Sequence, residues 1–124
     1  MTALKLQRPE PTEAQVQASV LRYLQRHPQV VWVARMNSAA GRLTRGTGGR
    51  ETSQFMRFGF KGCPDIHGML KGGRALYVEV KRPSGKLTPE QAAFLQRAAT
   101  HGGCAFVARG IDDCERGLHE SVVA

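Results

Sequence analysis

The sequence predicts an α/β fold, a mixed β-sheet flanked by helices, and three observations carry that prediction. Two stretches, Thr12-x-x-Gln15 and Thr88-x-x-Gln91, place a hydroxyl residue three positions ahead of a glutamine. This is the pattern by which a helix start satisfies its own unpaired amides. Between them, the apolar runs 66–70 and 75–80 meet at Lys71-Gly72-Gly73-Arg74, where paired glycines supply the positive φ of a tight hairpin. A further apolar run, 104–108, follows the second helix, and a strand, helix, strand succession returns the chain to the same sheet as a crossover. The expected order is α-β-β-β-α-β-α.

Taken in order, residues 1–11 carry Pro9 and Pro11 without periodicity and are expected to form a flexible N-terminal arm, leaving 12–124 as a single domain. Val16, Val20 and Leu24 recur every four residues and form the buried stripe of the first helix, which ends at His27-Pro28. Glu13 sits in its first turn, where the backbone dipole favours a negative charge. Residues 30–36 are rich in β-branched side chains, include Trp32 and read as a strand. Glycine and arginine dominate 38–54, which reads as an exposed loop with room for a short hairpin of its own. Arg42, Arg45 and Arg50 there offer planar forks suited to phosphate. Residues 41–47 have a superficial likeness to a phosphate-binding P-loop, but no lysine precedes Thr47 and no strand-loop-helix context surrounds it, so an NTPase is excluded. Phe55, Phe58 and Phe60, interleaved with Arg57 and Lys61, read as the edge of a core strand, with base stacking as the functional alternative.

Beyond the hairpin, Arg82-Pro83-Ser84-Gly85-Lys86 turns the chain away from the sheet. Thr88 caps the next helix with Pro89 at its favoured first position. Phe94, Leu95 and Ala98 bury that helix and Gly102-Gly103 ends it. Asp112-Asp113 opens a last short helix running towards His119.

The hairpin carries the chemistry. In its second strand Leu76, Val78 and Val80 share one face, and Tyr77, Glu79 and Lys81 share the other. In its first strand Ile66 and Leu70 lie on one face, Asp65, His67 and Met69 on the other. Pairing Ile66 with Val80 and Leu70 with Leu76 matches the apolar faces and leaves Gly72-Gly73-Arg74 as the loop. Asp65 is then expected opposite Lys81 with Glu79 diagonally across, at roughly 7 Å, on a face turned away from the core. Two carboxylates and one lysine suit a hard divalent cation and a phosphate, because oxygen ligands select Mg2+ or Mn2+ and an ammonium can steady developing charge. The plainer reading is a set of solvated charges on an open sheet face. Convergence of all three groups by parity favours a site. Glu13 and Gln91 each have a structural reading, as dipole partner and capping residue, beside a functional one.

These residues resemble the PD-(D/E)XK nuclease superfamily and, within it, the VRR-NUC family. Pro64-Asp65 and Glu79-Val80-Lys81 match the superfamily motif. The narrower likeness is G-x-P-D-I-x-G, then a glycine-rich turn, then L-Y-V-E-V-K-R-P-S-G-K-L-T-P-E-Q, after an N-terminal helix opening with Glu13. It runs from about residue 13 to 107. The resemblance implies a restriction endonuclease-like core and a Mg2+-dependent, structure-specific DNA endonuclease in which Mn2+ substitutes. It also implies Asp65, Glu79 and the Val80 carbonyl as metal ligands, Glu13 as a nearby acid, Lys81 as the catalytic cation, Gln91 in support and water as the nucleophile. Small free-standing members of this family act as homodimers on four-way (Holliday) junctions, whereas larger relatives act on flaps. The expected alternatives are a non-catalytic DNA-binding module, a flap-nicking enzyme and a restriction-type nuclease.

Composition agrees with a polyanionic partner. Eighteen basic against ten acidic side chains leave a formal charge of +8, which favours polyanions, nucleic acid or an anionic membrane surface, without choosing between them. Lys61, Arg82 and Lys86 join Arg42, Arg45 and Arg50 as expected DNA contacts. No apolar run approaches the length of a membrane span and no secretory segment is present, so a cytoplasmic protein, bacterial or phage-encoded, is expected. The odd count of three cysteines argues against a disulfide scaffold. Cys63-x3-His67 and His101-x2-Cys104 contain zinc-type ligands but follow no finger spacing.

Overall fold

A computed structural model of the chain describes residues 8–36, 40–45, 52–57 and 59–123, with the two middle segments and 121–123 described as backbone. Three helices arise where the local signals place them. In α1 (Glu13–Arg26) the Gln15 amide donates to Thr12 Oγ1 at 3.2 Å and the Thr12 amide donates to Gln15 Oε1 at 2.9 Å, so the capping box satisfies two amides reciprocally. In α2 (Pro89–Thr100) Thr88 and Gln91 repeat the device at 3.1 and 3.0 Å. The last helix, α3 (Ile111–Val123), runs past the expected stop near His119. Asp113 secures its start by accepting from the Arg109 amide at 2.8 Å and by pairing with Arg116.

Among the described residues the strands are β1 (Val30–Arg35), β2 (Ala40–Arg45), β3 (Thr52–Arg57), β4 (Ile66–Leu70), β5 (Ala75–Val80) and β6 (Cys104–Ala108). Four of them form one sheet in the order β1-β4-β5-β6. Its first three strands are antiparallel neighbours, and β6 lies parallel to β5 because α2 carries the chain across. The sheet is therefore mixed, as expected, and α1-β1-β4-β5-α2-β6-α3 is the predicted order. Strands β2 and β3 pair with each other, Ala40 opposite Arg57 and Arg45 opposite Thr52, as a separate two-stranded sheet. The glycine-arginine stretch thus holds an extended hairpin where a loop dominates the sequence reading. Its pairing rests on backbone hydrogen bonds, which need no apolar alternation to form.

The register of β4 and β5 differs from expectation by two residues. Ile66 lies opposite Val78 and Gly68 opposite Leu76. The Leu70 amide donates to the Arg74 carbonyl at 2.8 Å, and the Gly73 amide to the Leu70 carbonyl at 3.0 Å, so the loop is Lys71-Gly72-Gly73. Gly72 and Gly73 stand at φ 89° and 84°, a conformation that costs glycine little and other residues more. Apolar matching settles parity alone, and the glycine pair decides which of the allowed registers closes. A shift of two leaves every side chain on its predicted face.

Those faces bury different things. Ile66, Leu76, Val78 and Val80, all fully buried, pack with Val16, Val20 and Leu24 of α1 and with Cys114 and Leu118 of α3. Each such side chain contributes about 1.5–3 kcal/mol relative to exposure. Helix α2 covers the opposite face through Phe94, whose ring meets Tyr77 edge-on at 5.1 Å. Among the described residues no helix is long and apolar enough to cross a membrane.

Candidate active site

Asp65 is placed by backbone contacts on both sides. Pro64 ahead of it is fully buried, and the Asp65 carbonyl accepts from the Met36 amide at 2.7 Å, tying it to the end of β1. Its Oδ2 accepts from the Val80 amide at 2.9 Å. The observed register, extended by one pair, sets Asp65 across from Glu79, where sequence matching expects Lys81. The Lys81 amide donates to the Ala108 carbonyl at 3.1 Å, on the β6 side. The N–H and C=O of one strand residue point the same way, so the Val80 carbonyl faces the Asp65 side.

Glu79 is 2% exposed and is the buried charged residue among the described ones. The expectation of a face turned away from the core is corrected here: α2 folds over it. Close packing of that helix needs Gly62, where a Cβ would stand 2.7 Å from the Glu90 carbonyl oxygen. Glu79 Oε1 accepts from Gln91 Nε2 at 3.0 Å and lies 3.8 Å from Lys81 Nζ, on a side chain only 12% exposed. Glu79 Oε2 is buried without a hydrogen-bond partner. Burial, then the charge of the adjacent Asp65 carboxylate, which a proton on Glu79 would bridge, push the Glu79 carboxyl up to about 8. Lys81 pulls the other way and is outweighed, while Glu13 adds a smaller push upward.

Gln91 makes a capping contact and a contact to Glu79 at once. Its Oε1 completes the capping box and its Nε2 holds Glu79. Glu13, exposed on the first turn of α1, reaches the site through its charge. Among the described residues no group of three or more His, Cys, Asp or Glu side chains could hold a metal ion by itself. A donor set built here is therefore two carboxylates completed by a backbone carbonyl.

This set fits a hard divalent cation. Among the described residues Lys81 Nζ is the ammonium beside Glu79, and Glu79 Oε2 is buried without a donor, where a lone acceptor is costly. A proton, a hydrogen-bond donor or a cation would relieve that deficit, and for a cation the oxygen donors match Mg2+ or Mn2+. The zinc alternative does not converge. Cys63 Sγ lies 3.6 Å from His67 Nε2, but His101 is the exposed C-cap of α2 and Cys104 packs in the core on the far face of the sheet, its thiol against the Gly117 carbonyl.

The basic residues are dispersed. Arg82 and Lys86 are exposed in the loop directly after β5. Lys61 pairs with Glu90 at 3.1 Å beside the start of α2. Arg42 and Arg45 lie on β2, and Arg50, like residues 1–7 of the expected arm, lies outside the described residues. Two features escape sequence reasoning. One is a run of rings, Phe60, Phe94, Tyr77 and His67, each 5.1 Å from the next, on the α2 side of the sheet. The other is Glu10, joined to Ser84 across the molecule. Parity already puts His67 and Tyr77 on the Asp65 face, but the Glu10 contact leaves no local signal.

A family model described as the VRR-NUC domain matches residues 12–112. No curated protein matches the chain, and no solved structure matches it either.

Proposed function

From the premise that this chain belongs to the VRR-NUC domain family, a PD-(D/E)XK-like nuclease domain with nuclease-type function, we propose that it is a metal-dependent, structure-specific DNA endonuclease. The proposed reaction is phosphodiester hydrolysis at four-way junctions by a homodimer. The observation that carries the metal-dependent reading is the buried Oε2 of Glu79 beside Asp65, which among the described residues has no hydrogen-bond partner and has Lys81 Nζ as its neighbouring cation.

Asp65, Glu79 and the Val80 carbonyl would hold a Mg2+ ion, which when bound supplies Lewis-acid activation of water and neutralises phosphoryl charge. The chain's own groups do the positioning. The Val80 amide fixes Asp65 Oδ2. Gln91 Nε2 occupies Glu79 Oε1, which leaves Oε2 as the oxygen to be used. Lys81, held in place by its neighbour Glu79 and largely shielded from water, aims a positive charge where negative charge develops on the phosphate oxygens. Glu13 raises the local negative potential that attracts a cation. A single such site makes a single cut, and a four-way junction needs two cuts related by a two-fold axis, which a C2 pair provides.

The test is cleavage of labelled linear duplex, single strand, flap and four-way junction DNA with Mg2+, Mn2+ or EDTA. The reading requires scission with either metal, none in EDTA and the fastest rate on the junction. Junction binding without scission under every condition would leave a DNA-binding module instead.

A further inference from the structure

Immediately after Lys81 the chain makes a tight turn, Arg82-Pro83-Ser84-Gly85, closed by the Gly85 amide donating to the Arg82 carbonyl at 2.9 Å. Arg109 Nη2 donates to the Gly85 carbonyl at 2.7 Å and anchors the turn to the end of β6. The turn lies against the candidate site: a Cβ built on Gly85 would stand 3.4 Å from Lys81 Cβ. At its tip the Ser84 amide and hydroxyl both point at one carboxylate. The amide donates to Glu10 Oε1, and Ser84 Oγ donates to Glu10 Oε2 at 2.8 Å. Glu10 belongs to the segment ahead of α1, seventy-four positions away in sequence. Arg82 and Lys86, on either side of Ser84, are exposed.

A backbone amide and a hydroxyl gripping two oxygens on one atom, with an arginine beside them, form a cradle for a tetrahedral oxyanion as readily as for a carboxylate. Electrostatics agree, since the Ser84 amide and hydroxyl, and to a lesser degree Arg82, hold the Glu10 carboxyl below its ordinary range. A nucleic-acid strand whose scissile phosphate reached Lys81 would carry a neighbouring phosphate over this turn. We propose that the Arg82–Gly85 turn is a phosphate-binding subsite for the substrate backbone, and that Glu10 occupies it as an internal competitor which bound nucleic acid displaces. The inference rests on the nuclease reading above and adds to it a subsite and a built-in brake.

The experiment is binding of fluorescently labelled four-way junction DNA in EDTA at low salt, read by anisotropy, for the wild-type chain, Glu10→Ala, Ser84→Ala, the double variant and Glu120→Gln. All three substituted positions are exposed, so the fold tolerates them. Glu10→Ala should tighten binding about three- to tenfold, the size expected for freeing a charge-assisted donor pair at a surface. Ser84→Ala should weaken binding, and the Glu10 substitution should then produce no gain in that background. A gain in Glu10→Ala that survives intact in the double variant overturns the subsite. An equal gain in Glu120→Gln, an acid on α3, reduces the effect to net charge and overturns it as well, as does no change in Glu10→Ala. Junction binding without metal-dependent cutting would remove the nuclease reading and leave this comparison fully decisive for the subsite.

Discussion

On one face of β5, Leu76, Val78 and Val80 are fully buried among aliphatic neighbours from α1, β4 and α3. On the other, Glu79 is buried almost as deeply, under α2, with one oxygen bonded to Gln91 and one bare. The same strand, at the same depth, therefore holds groups whose burial has opposite sign. Removing the aliphatic side chains from water stabilises the fold, whereas removing a carboxylate from water opposes it. One face holds the sheet together, and the other, on the proposed reading, keeps a carboxylate oxygen available to a metal ion.

The largest test of that contrast is on the apolar face. Leu76→Ala should cost about 2–5 kcal/mol in urea unfolding, because the site is close-packed and collapses only partly around the void. Glu79→Gln should go the other way at alkaline pH. The Glu79 carboxyl, raised from 4.5 to about 8, keeps its proton in the folded chain after the unfolded chain has lost it. Metal-free stability should thus be full below pH 4.5 and fall as pH rises to about 8, by about 5 kcal/mol at most. Glu79→Gln should flatten that profile and leave the chain more stable than wild type near pH 8, which thermal melts at several pH values would read.

Smaller effects sharpen the role of α2 as the cover. Thr88→Ala should cost about 1 kcal/mol through the lost cap. It should leave cleavage nearly unchanged, because the Thr88 backbone amide that holds Gln91 Oε1, and with it Nε2 towards Glu79, survives the substitution. Both are measurable on one preparation. Lys61→Ala, which breaks an exposed pair with Glu90, should leave the melting midpoint unchanged within error.

What was legible in the sequence was what is local. Both capping boxes, the buried stripe of α1 and the bounds of β6 follow from contacts between residues a few positions apart, and each is found as read. The faces of the hairpin follow from parity, so Asp65, Glu79 and Lys81 were placed together correctly. Register was missed by two residues because parity repeats every two, and only turn geometry breaks the tie. The burial of Glu79 was not legible either. It depends on a helix that returns over the strand after nine further residues, held close by Gly62. Nothing in E-V-K itself distinguishes a covered glutamate from a solvated one.

On the proposed reading, the covered face of the hairpin is where cutting happens. Single-turnover cleavage of junction DNA in Mg2+, set beside junction affinity in EDTA, tests it most directly for Asp65→Asn and Glu79→Gln. Each loses a negative oxygen donor, so cleavage should fall on the order of a hundredfold or more. Affinity in EDTA should tighten slightly for Asp65→Asn, where a carboxylate that repels phosphate is gone, and stay the same for Glu79→Gln, whose carboxyl holds a proton below about pH 8 without metal. Wild-type cleavage rates in either variant would contradict the account and move the active site off this hairpin.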